Sequence, residues 1–305
     1  MSRVNKLSLV KQVQDALRGQ LAIGVSKHET KKNEPDTYTD GRIYSWGTYN
    51  SYIKHANYFT SWCKEHYHCK TLEECRPHVN EYLQSRFHLS AYTVKLDAAS
   101  IAKVYQCSTT EFVQTPARVR SDITRSRAEV TARDRHFSQT NNQDLIDFCK
   151  STGLRRSELE HLHGYTHDGK PNYHEQDGKL YVHVDYGTKG GRVRQVEVIG
   201  NAEHVRTMMD KAGSGRVFSK VHDAADIHGY RREYATAVYN KYARPIDAIP
   251  YDKYHPGLGR MIQSQVYHGR NDAKGVVLDK VAMQIASQNL GHNRISVIAA
   301  HYLQH

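Results

Sequence analysis

The pattern of apolar residues changes character partway along the chain, and this change limits the possible folds most. Residues 45–70 place apolar side chains at helical spacing, and further helices are predicted at 76–88 and 93–106. From about residue 139 the pattern is mixed. Helical segments alternate there with KLYVHVDYGTKGGRVRQVEVIG, which predicts two strands around a glycine-rich turn. We therefore predict a mainly α chain with one small β-sheet.

This division predicts two domains, which is reasonable for 305 residues at roughly 100–200 residues per domain. We expect a helical domain at 1–110, a polar linker at 111–138 and an α+β domain at 139–305. The linker contains Pro116 and several arginines. It could lie along a phosphate backbone or serve only as a solvated connection.

The charge balance favours a polyanionic partner. Lys and Arg total 43 against 32 Asp and Glu, a formal charge of +11. A surplus of this size suits nucleic acid or an anionic membrane, although a merely basic soluble protein would show it too. No stretch approaches ~18 apolar residues, so no membrane span is expected. The first residues lack the continuous apolar segment of a secretion signal. The five scattered cysteines argue against a disulfide framework, so we expect a cytoplasmic protein.

Four short stretches in the second half carry residues suited to phosphate chemistry. They are TGLRRSEL at 152–159, TKGGRVR at 188–194, HGYR at 228–231 and LGH at 290–292, the last followed by Tyr302. Arginine forks match phosphate oxygens, lysine and histidine can move protons, and tyrosine can attack phosphorus. No carboxylate cluster suited to Mg²⁺ accompanies them, so the set suits phosphoryl transfer without a metal or other cofactor. The candidate residues are Arg155, Lys189, His228, Arg231, His292 and Tyr302.

Each candidate also has a purely structural interpretation. Arg155 could be a surface residue at a helix start, and Lys189 could be an ordinary turn residue. The two histidines could cap helices, and Tyr302 is one of 21 tyrosines, any of which could serve packing. The order and local sequence of the four stretches favour the functional interpretation.

The four stretches resemble, in the same order, the catalytic boxes of the tyrosine recombinase (phage integrase) family, over roughly residues 140–305. The helical first part is similar in length and character to that family's core-binding domain, without a diagnostic motif. The resemblance implies a C-shaped clamp in which the two domains lie on opposite faces of duplex DNA.

The resemblance also implies how the phosphate is held and attacked. Arg155 and Arg231 would clamp the scissile phosphate, and His292 would hydrogen-bond it. Tyr302 would attack, leaving a 3′-phosphotyrosine and a free 5′-hydroxyl. Glu158, three residues after Arg155, would support the site without reacting.

The remaining roles concern protons and partners. Lys189 would protonate the leaving 5′-oxygen, and His228 would assist proton transfer. The implied partners are double-stranded DNA, further copies of the chain in a tetramer on paired sites, and accessory DNA-bending proteins. Integration or excision of a mobile element is the expected outcome. A type IB topoisomerase, a telomere resolvase or a non-catalytic DNA-binding relative stays open as an alternative.

Three features depart from the family pattern. The position nine residues after His292 holds His301, and Tyr302 is the tenth, a shift of about 100° on a helix. Arg231 and His292 are 61 positions apart, which leaves an extra segment at about 241–275 that could contact DNA, contact a partner copy or form a surface loop. Only three residues follow Tyr302, so we expect no C-terminal tail that docks on a neighbouring subunit.

One cluster in the first half raises the question of zinc. The segment WCKEHYHCKTLEEC matches no strong zinc spacing, and its first cysteine fits the apolar side of a helix, so we do not expect a metal there. The potential ligands are Cys63, His66, His68, Cys69 and Cys75.

Overall fold

The computed structural model describes residues 7–34, 41–119, 137–188, 191–270, 274–292 and 294–303. The chain divides into two compact units, Met1–Ile123 and Thr124–His305. The division falls inside the predicted linker at 111–138, of which residues 120–136 lie outside the described part. None of the described helices is long and apolar enough to cross a membrane.

The first unit is built from helices, as predicted. Serine or threonine side chains cap most of their N-termini, which satisfies backbone N–H groups that have no partner inside the helix. The two longest helices, α3 and α6, lie against each other and bury residues such as Phe59 and Ile101. The helices are α1 (Leu9–Arg18), α2 (Lys27–Asn33), α3 (Trp46–Tyr67), α4 (Leu72–Cys75), α5 (Val79–Ser85) and α6 (Ala91–Tyr105).

The cysteines of the candidate zinc cluster belong to this helical core. Cys63, Cys69 and Cys75 are buried among apolar side chains. The His66 ring instead stacks on Trp62 at 4.6 Å between centroids. No group of three or more His, Cys, Asp or Glu in the described ranges could hold a metal ion. The cysteines therefore serve as small apolar core residues.

The second unit combines helices with small antiparallel sheets, which confirms the predicted mixture. Its sheets are a three-stranded one in the order β1-β2-β3 and two two-stranded ones, β4-β5 and β6-β7. The elements are α7 (Gln143–Thr152), α8 (Arg156–Leu159), β1 (Tyr173–Gln176), β2 (Lys179–Val184), β3 (Arg194–Glu197), α9 (Ala202–Ala212), α10 (Ile227–Tyr242), β4 (Lys253–His255), β5 (Arg260–Ile262), β6 (Val266–His268), β7 (Val277–Asp279), α11 (Lys280–Asn289) and α12 (Ile295–His301).

The predicted hairpin is confirmed as β2 and β3, which pair in antiparallel register with Val182 opposite Val196. Alternate residues of β2 are buried, as its sequence pattern requires. The third strand, β1, was not predicted. Its four residues, YHEQ, carry no alternation of apolar side chains, and none of them is fully buried.

The core of the second unit centres on α10, which packs against α7 and α11. Tyr234 of α10 is fully buried, and its ring lies directly beneath Gly153. Gly153 has φ +58, and a Cβ there would come within 2.2 Å of the ring. Glycine is required on both grounds, so Gly153 ends α7 and fixes the direction of the chain that follows.

An ion pair joins the two ends of the extra segment between α10 and α11. Arg244 donates from Nε and Nη2 to the Asp279 carboxylate at 2.7 and 2.8 Å. The same carboxylate caps α11 by accepting from the Val281 N–H at 2.8 Å. The hydrogen bond from Arg244 holds the pKa of Asp279 at about 2. The segment therefore extends from a fixed base. Its strands β4 to β7 were not predicted from the sequence.

Candidate active site

Two arginines from distant parts of the sequence meet at one backbone carbonyl. Arg155 stands immediately before α8, and Arg231 lies in the second turn of α10. Arg155 Nη2 donates to the Leu290 oxygen at 3.0 Å. Arg231 Nη2 donates to the same oxygen, and its Nη1 donates to the Gly153 oxygen. The shared acceptor holds the two guanidinium groups side by side, which concentrates positive charge at one place.

The hydroxyl of Tyr302 lies at this arginine pair. Arg231 Nε donates to Tyr302 Oη at 3.2 Å. His292 Nε2 lies 3.0 Å from the same oxygen, and the tautomer of His292 decides which atom donates. Burial lowers the pKa of Arg231, although the nearby Tyr302 oxygen opposes this effect. Arginine stays charged even so, and the tyrosine oxygen therefore faces a cation.

The end of α12 explains how the tenth position reaches the site. The helix ends at His301, which is exposed, and Tyr302 follows as the C-cap residue with φ −116 and ψ −39. The Tyr302 and Leu303 N–H groups both donate to the Ile298 oxygen, at 3.0 and 3.1 Å. The backbone thus turns at the last helical residue, so that Tyr302 faces inward while His301 stays outside.

A buried carboxylate holds the first arginine in place. Glu158 is 1% exposed and accepts from both the backbone N–H and Nη1 of Arg155, each at 2.7 Å. Burial alone would raise the pKa of Glu158, but the hydrogen bonds and charges of Arg194 and Arg155 lower it to about 2. Glu158 therefore holds Arg155 in place, which agrees with the supporting role expected from the sequence.

Arg194, the first residue of β3, completes this arrangement. Its Nη1 and Nη2 donate to the two Glu158 oxygens at 2.9 and 2.8 Å, and its Nε donates to the Asn289 oxygen at 2.8 Å. Gly291 lies against its guanidinium, and a Cβ at Gly291 would approach within 3.1 Å. Arg194 therefore ties the sheet to α8 and to the turn that carries His292. Arg194 is the last residue of the TKGGRVR stretch, and no local sequence signal marks this role.

His228 lies one helical turn before Arg231, on the same side of α10. The Asp226 side chain caps this helix by accepting from the Gly229 N–H at 3.0 Å. His228 is exposed and lines a cavity of about 540 Å³ together with Arg155 and Arg231. The structure thus brings His228 to the same opening as the two arginines. The other lining residues are Arg156, Ser157, Glu160, Asp223, Ala225, Asp226 and Ile227.

Arg156 has a different task from its neighbour Arg155. Its guanidinium donates to four backbone oxygens at 3.0 to 3.2 Å, those of Val221, His222, Asp223 and Ala225. These bonds hold the segment that leads into α10. Arg156 therefore shapes one wall of the cavity, whereas Arg155 joins the arginine pair. The local sequence alone does not separate these two roles.

Lys189 lies outside the described residues, so its predicted position is not tested here. The base of its hairpin is described and docks closely on α8. Ser157 Oγ donates to the Gly187 oxygen at 2.8 Å. Gly187 has φ +69, and a Cβ there would come within 2.2 Å of the Ser157 oxygen. Only glycine permits this approach. The connection between β2 and β3 therefore starts next to Ser157, two residues after Arg155.

The arrangement suits binding and attack at a phosphate diester. It offers two adjacent arginines, His228 at the same opening, and a tyrosine hydroxyl in direct contact with Arg231 and His292. Arginine forks bind phosphate oxygens and stabilise the charge that develops on them.

No protein-family profile and no curated protein matches the sequence. Among solved structures, the chain is similar to XerH site-specific recombinase bound to difH substrate, with 14% identity and a TM-score of 0.49, over 97% of this chain and 93% of that one. It is also similar to the Tn1549 transposon integrase in complex with transposon right end DNA, with 12% identity and a TM-score of 0.43, over 98% and 96%. XerA recombinase shows 13% identity and a TM-score of 0.29, over 97% and 94%. The structural neighbours of this chain are thus recombinases and an integrase.

Proposed function

We propose that this protein is a site-specific DNA recombinase, which cuts and rejoins DNA through a covalent link between Tyr302 and a 3′-phosphate. One observation carries the proposal. The Tyr302 oxygen lies 3.2 Å from Arg231 Nε and 3.0 Å from His292 Nε2, while Arg155 and Arg231 share the Leu290 oxygen. A nucleophile, a phosphate-binding pair of cations and a titratable ring therefore meet at one point.

Binding of the scissile phosphate is the first step. Its oxygens would occupy the opening lined by Arg155, His228 and Arg231. The guanidinium groups are held by carbonyls and by Glu158, so little reorganisation is needed when charge develops on phosphorus. His292 would hydrogen-bond a phosphate oxygen once the phosphate displaces part of its contact with Tyr302.

Cleavage is a transesterification that conserves the number of ester bonds. The Tyr302 oxygen bonds to phosphorus, and the bond from phosphorus to the 5′-oxygen breaks. The tyrosine proton leaves to a base, with His228 assisting the transfer, and Lys189 supplies a proton to the departing 5′-oxygen. Rejoining is the reverse, with a 5′-hydroxyl as the attacking group. No nucleotide hydrolysis is required because the phosphotyrosine retains an ester bond.

We further propose that copies of the chain act together as a tetramer on paired sites and that the reaction integrates or excises a mobile element. The structured segment between Arg244 and Asp279 supports this outcome over simple resolution, because a minimal resolvase would not need it. DNA-bending proteins would act as accessory factors.

The experiment that tests this function has two stages. Selection from a random duplex library should enrich two inverted half-sites. Duplex carrying that site should then yield strands with a free 5′-hydroxyl and a protein-blocked 3′ end. A protein-blocked 5′ end or metal-dependent hydrolysis would contradict the mechanism. Relaxation of any supercoiled plasmid without selected half-sites would indicate a topoisomerase, and binding without cleavage would indicate a non-catalytic relative.

A further inference from the structure

The hairpin formed by β4 and β5 presents its whole length to solvent. Every residue from 250 to 261 is exposed, including Tyr254 at 57% and Leu258 at 57%. An isolated two-stranded hairpin is marginally stable in water. Large apolar side chains that stay exposed on such a hairpin point to a surface that meets a partner.

The base of this hairpin is firmly held, so the exposed part has a fixed origin. Gln263 Nε2 donates to the Ile246 and Ile249 oxygens at 2.8 and 2.6 Å. Ser264 donates from its backbone N–H and its hydroxyl to the Asp252 carboxylate, both at 2.7 Å. The side-chain hydrogen bond from Ser264 lowers the pKa of Asp252, which favours the ionised carboxylate that accepts these bonds.

The pairing register gives the hairpin two different faces. Residues directly opposite each other in an antiparallel pair lie on the same face. His255 pairs with Arg260, and Lys253, two residues from His255, shares their face. Tyr254 pairs with Met261 on the other face. One face therefore carries the basic side chains, with the half-buried Ile262 opposite Lys253 at the hairpin base, and the other face is apolar, with Leu258 near the tip.

The stretch that begins with β4 carries basic residues and no acidic ones. Residues 253–270 contain no Asp or Glu, while they include Lys253, Arg260 and Arg270. Asp252, which precedes Lys253 in the sequence, is hydrogen-bonded to Ser264 at the hairpin base. A second copy of this chain would have to bring +11 of formal charge to the same basic face. A polyanion is the complementary partner.

We infer that the β4–β5 hairpin is a DNA-contacting arm, separate from the active site, that binds duplex DNA through Lys253, His255 and Arg260. A two-stranded ribbon fits the major groove, which is about 12 Å wide. Its basic face would contact phosphates, and the apolar side chains would lie against the sugars and base edges. The inference rests on the proposed function only in taking DNA as the partner.

The test compares the salt dependence of DNA binding among four full-length proteins, all carrying Tyr302→Phe so that no cleavage intervenes. The probe is a linear duplex of mixed sequence, several helical turns long. The first protein has no other change. The second carries Lys253→Ala and Arg260→Ala. The third carries Lys253→Arg and Arg260→Lys, which keep the charge. The fourth carries Tyr254→Ser and Met261→Ser, which change only the apolar face.

Two lost phosphate contacts should reduce the slope of log K against log salt by about 1.8 in the alanine pair. The charge-preserving and apolar-face pairs should keep the parent slope. An unchanged slope in the alanine pair would overturn the inference. If self-association were then lost in the apolar-face pair, the occupant would be a second copy. A parent slope near zero would instead refute DNA binding itself, which separates failure of the proposed function from failure of the arm.

Discussion

At the scale of single residues, the site is organised around a carboxylate that takes no part in the proposed chemistry. Glu158 is enclosed by Arg155 and Arg194, and all three side chains are largely buried. A buried anion between two cations is stable only while it stays ionised, because protonation would leave two buried positive charges without a counter-ion. The position of Arg155 therefore depends on the charge of Glu158.

This dependence predicts acid sensitivity. The folded-state pKa of Glu158 is lowered from 4.5 to about 2, so its stabilisation is fully present above pH 4.5 and is lost as the pH falls toward 2. Wild type should therefore lose on the order of 3 kcal/mol of unfolding free energy relative to Glu158→Gln across that window. Urea denaturation at a series of pH values measures the difference. Parallel curves for the two proteins would disprove the assignment.

The proposed role of Lys189 predicts a dependence on the leaving group. A 5′-thio-substituted phosphate needs little protonation of its leaving atom. Lys189→Ala should therefore slow cleavage of normal DNA by about 10²-fold or more and slow cleavage of the thio substrate far less. Single-turnover cleavage of both substrates gives the comparison. An equal loss on both would mean that Lys189 only binds or positions the phosphate.

The sequence identifies which residue types belong to the site better than it identifies their partners. The stretch TGLRRSEL contains two adjacent arginines, and only the fold decides that Arg155 reaches Leu290 while Arg156 binds the carbonyls before α10. Arg194 could not be assigned either, because its partner Glu158 lies 36 positions earlier. Such pairings depend on tertiary contacts that a local pattern does not contain.

At the scale of elements, the docking of the β2–β3 connection on α8 depends on Gly187. Gly178 and Gly187 both have φ +69, so an alanine at either position would suffer the same backbone strain. They differ only in the contacts that the added Cβ would make. A Cβ at Gly178 would meet nothing within 4 Å, whereas one at Gly187 would meet the Ser157 oxygen at 2.2 Å.

Gly178→Ala should therefore cost about 1 kcal/mol, the strain of the left-handed backbone alone. Gly187→Ala should cost at least about 1 kcal/mol more and should also lower the cleavage rate, because the connection that carries Lys189 must move. Thermal unfolding and single-turnover cleavage of both variants test this. Equal effects of the two substitutions would show that the close approach to Ser157 does not matter.

Helices and strands were predicted correctly where apolar residues recur at a regular spacing. They were missed where few side chains are buried. The alternating apolar residues of β2 predict a strand, and the helical spacing of apolar residues in α3 predicts a helix. Strands β4 and β5 carry six residues of which five are exposed, so no apolar alternation marks them. Their pairing depends on the anchors at Gln263 and Ser264, which local sequence does not reveal.

At the scale of the whole molecule, the formal charge of +11 should appear in how the protein binds DNA. If about six phosphates are contacted, log K should fall with log salt at a slope near −5. Titration of labelled duplex at several salt concentrations measures this slope. The predicted clamp of two domains requires many such contacts, and a slope near zero would rule it out.

The central claim is that Tyr302 attacks DNA. Tyr302→Phe removes the oxygen that lies between Arg231 and His292, while the exposed His301 can be changed to alanine without touching that contact. Denaturing electrophoresis with a nicked selected site, which traps the covalent intermediate, compares the two variants with wild type. We expect adducts from wild type and His301→Ala, and none from Tyr302→Phe despite normal DNA binding. A covalent adduct formed by Tyr302→Phe would contradict the account.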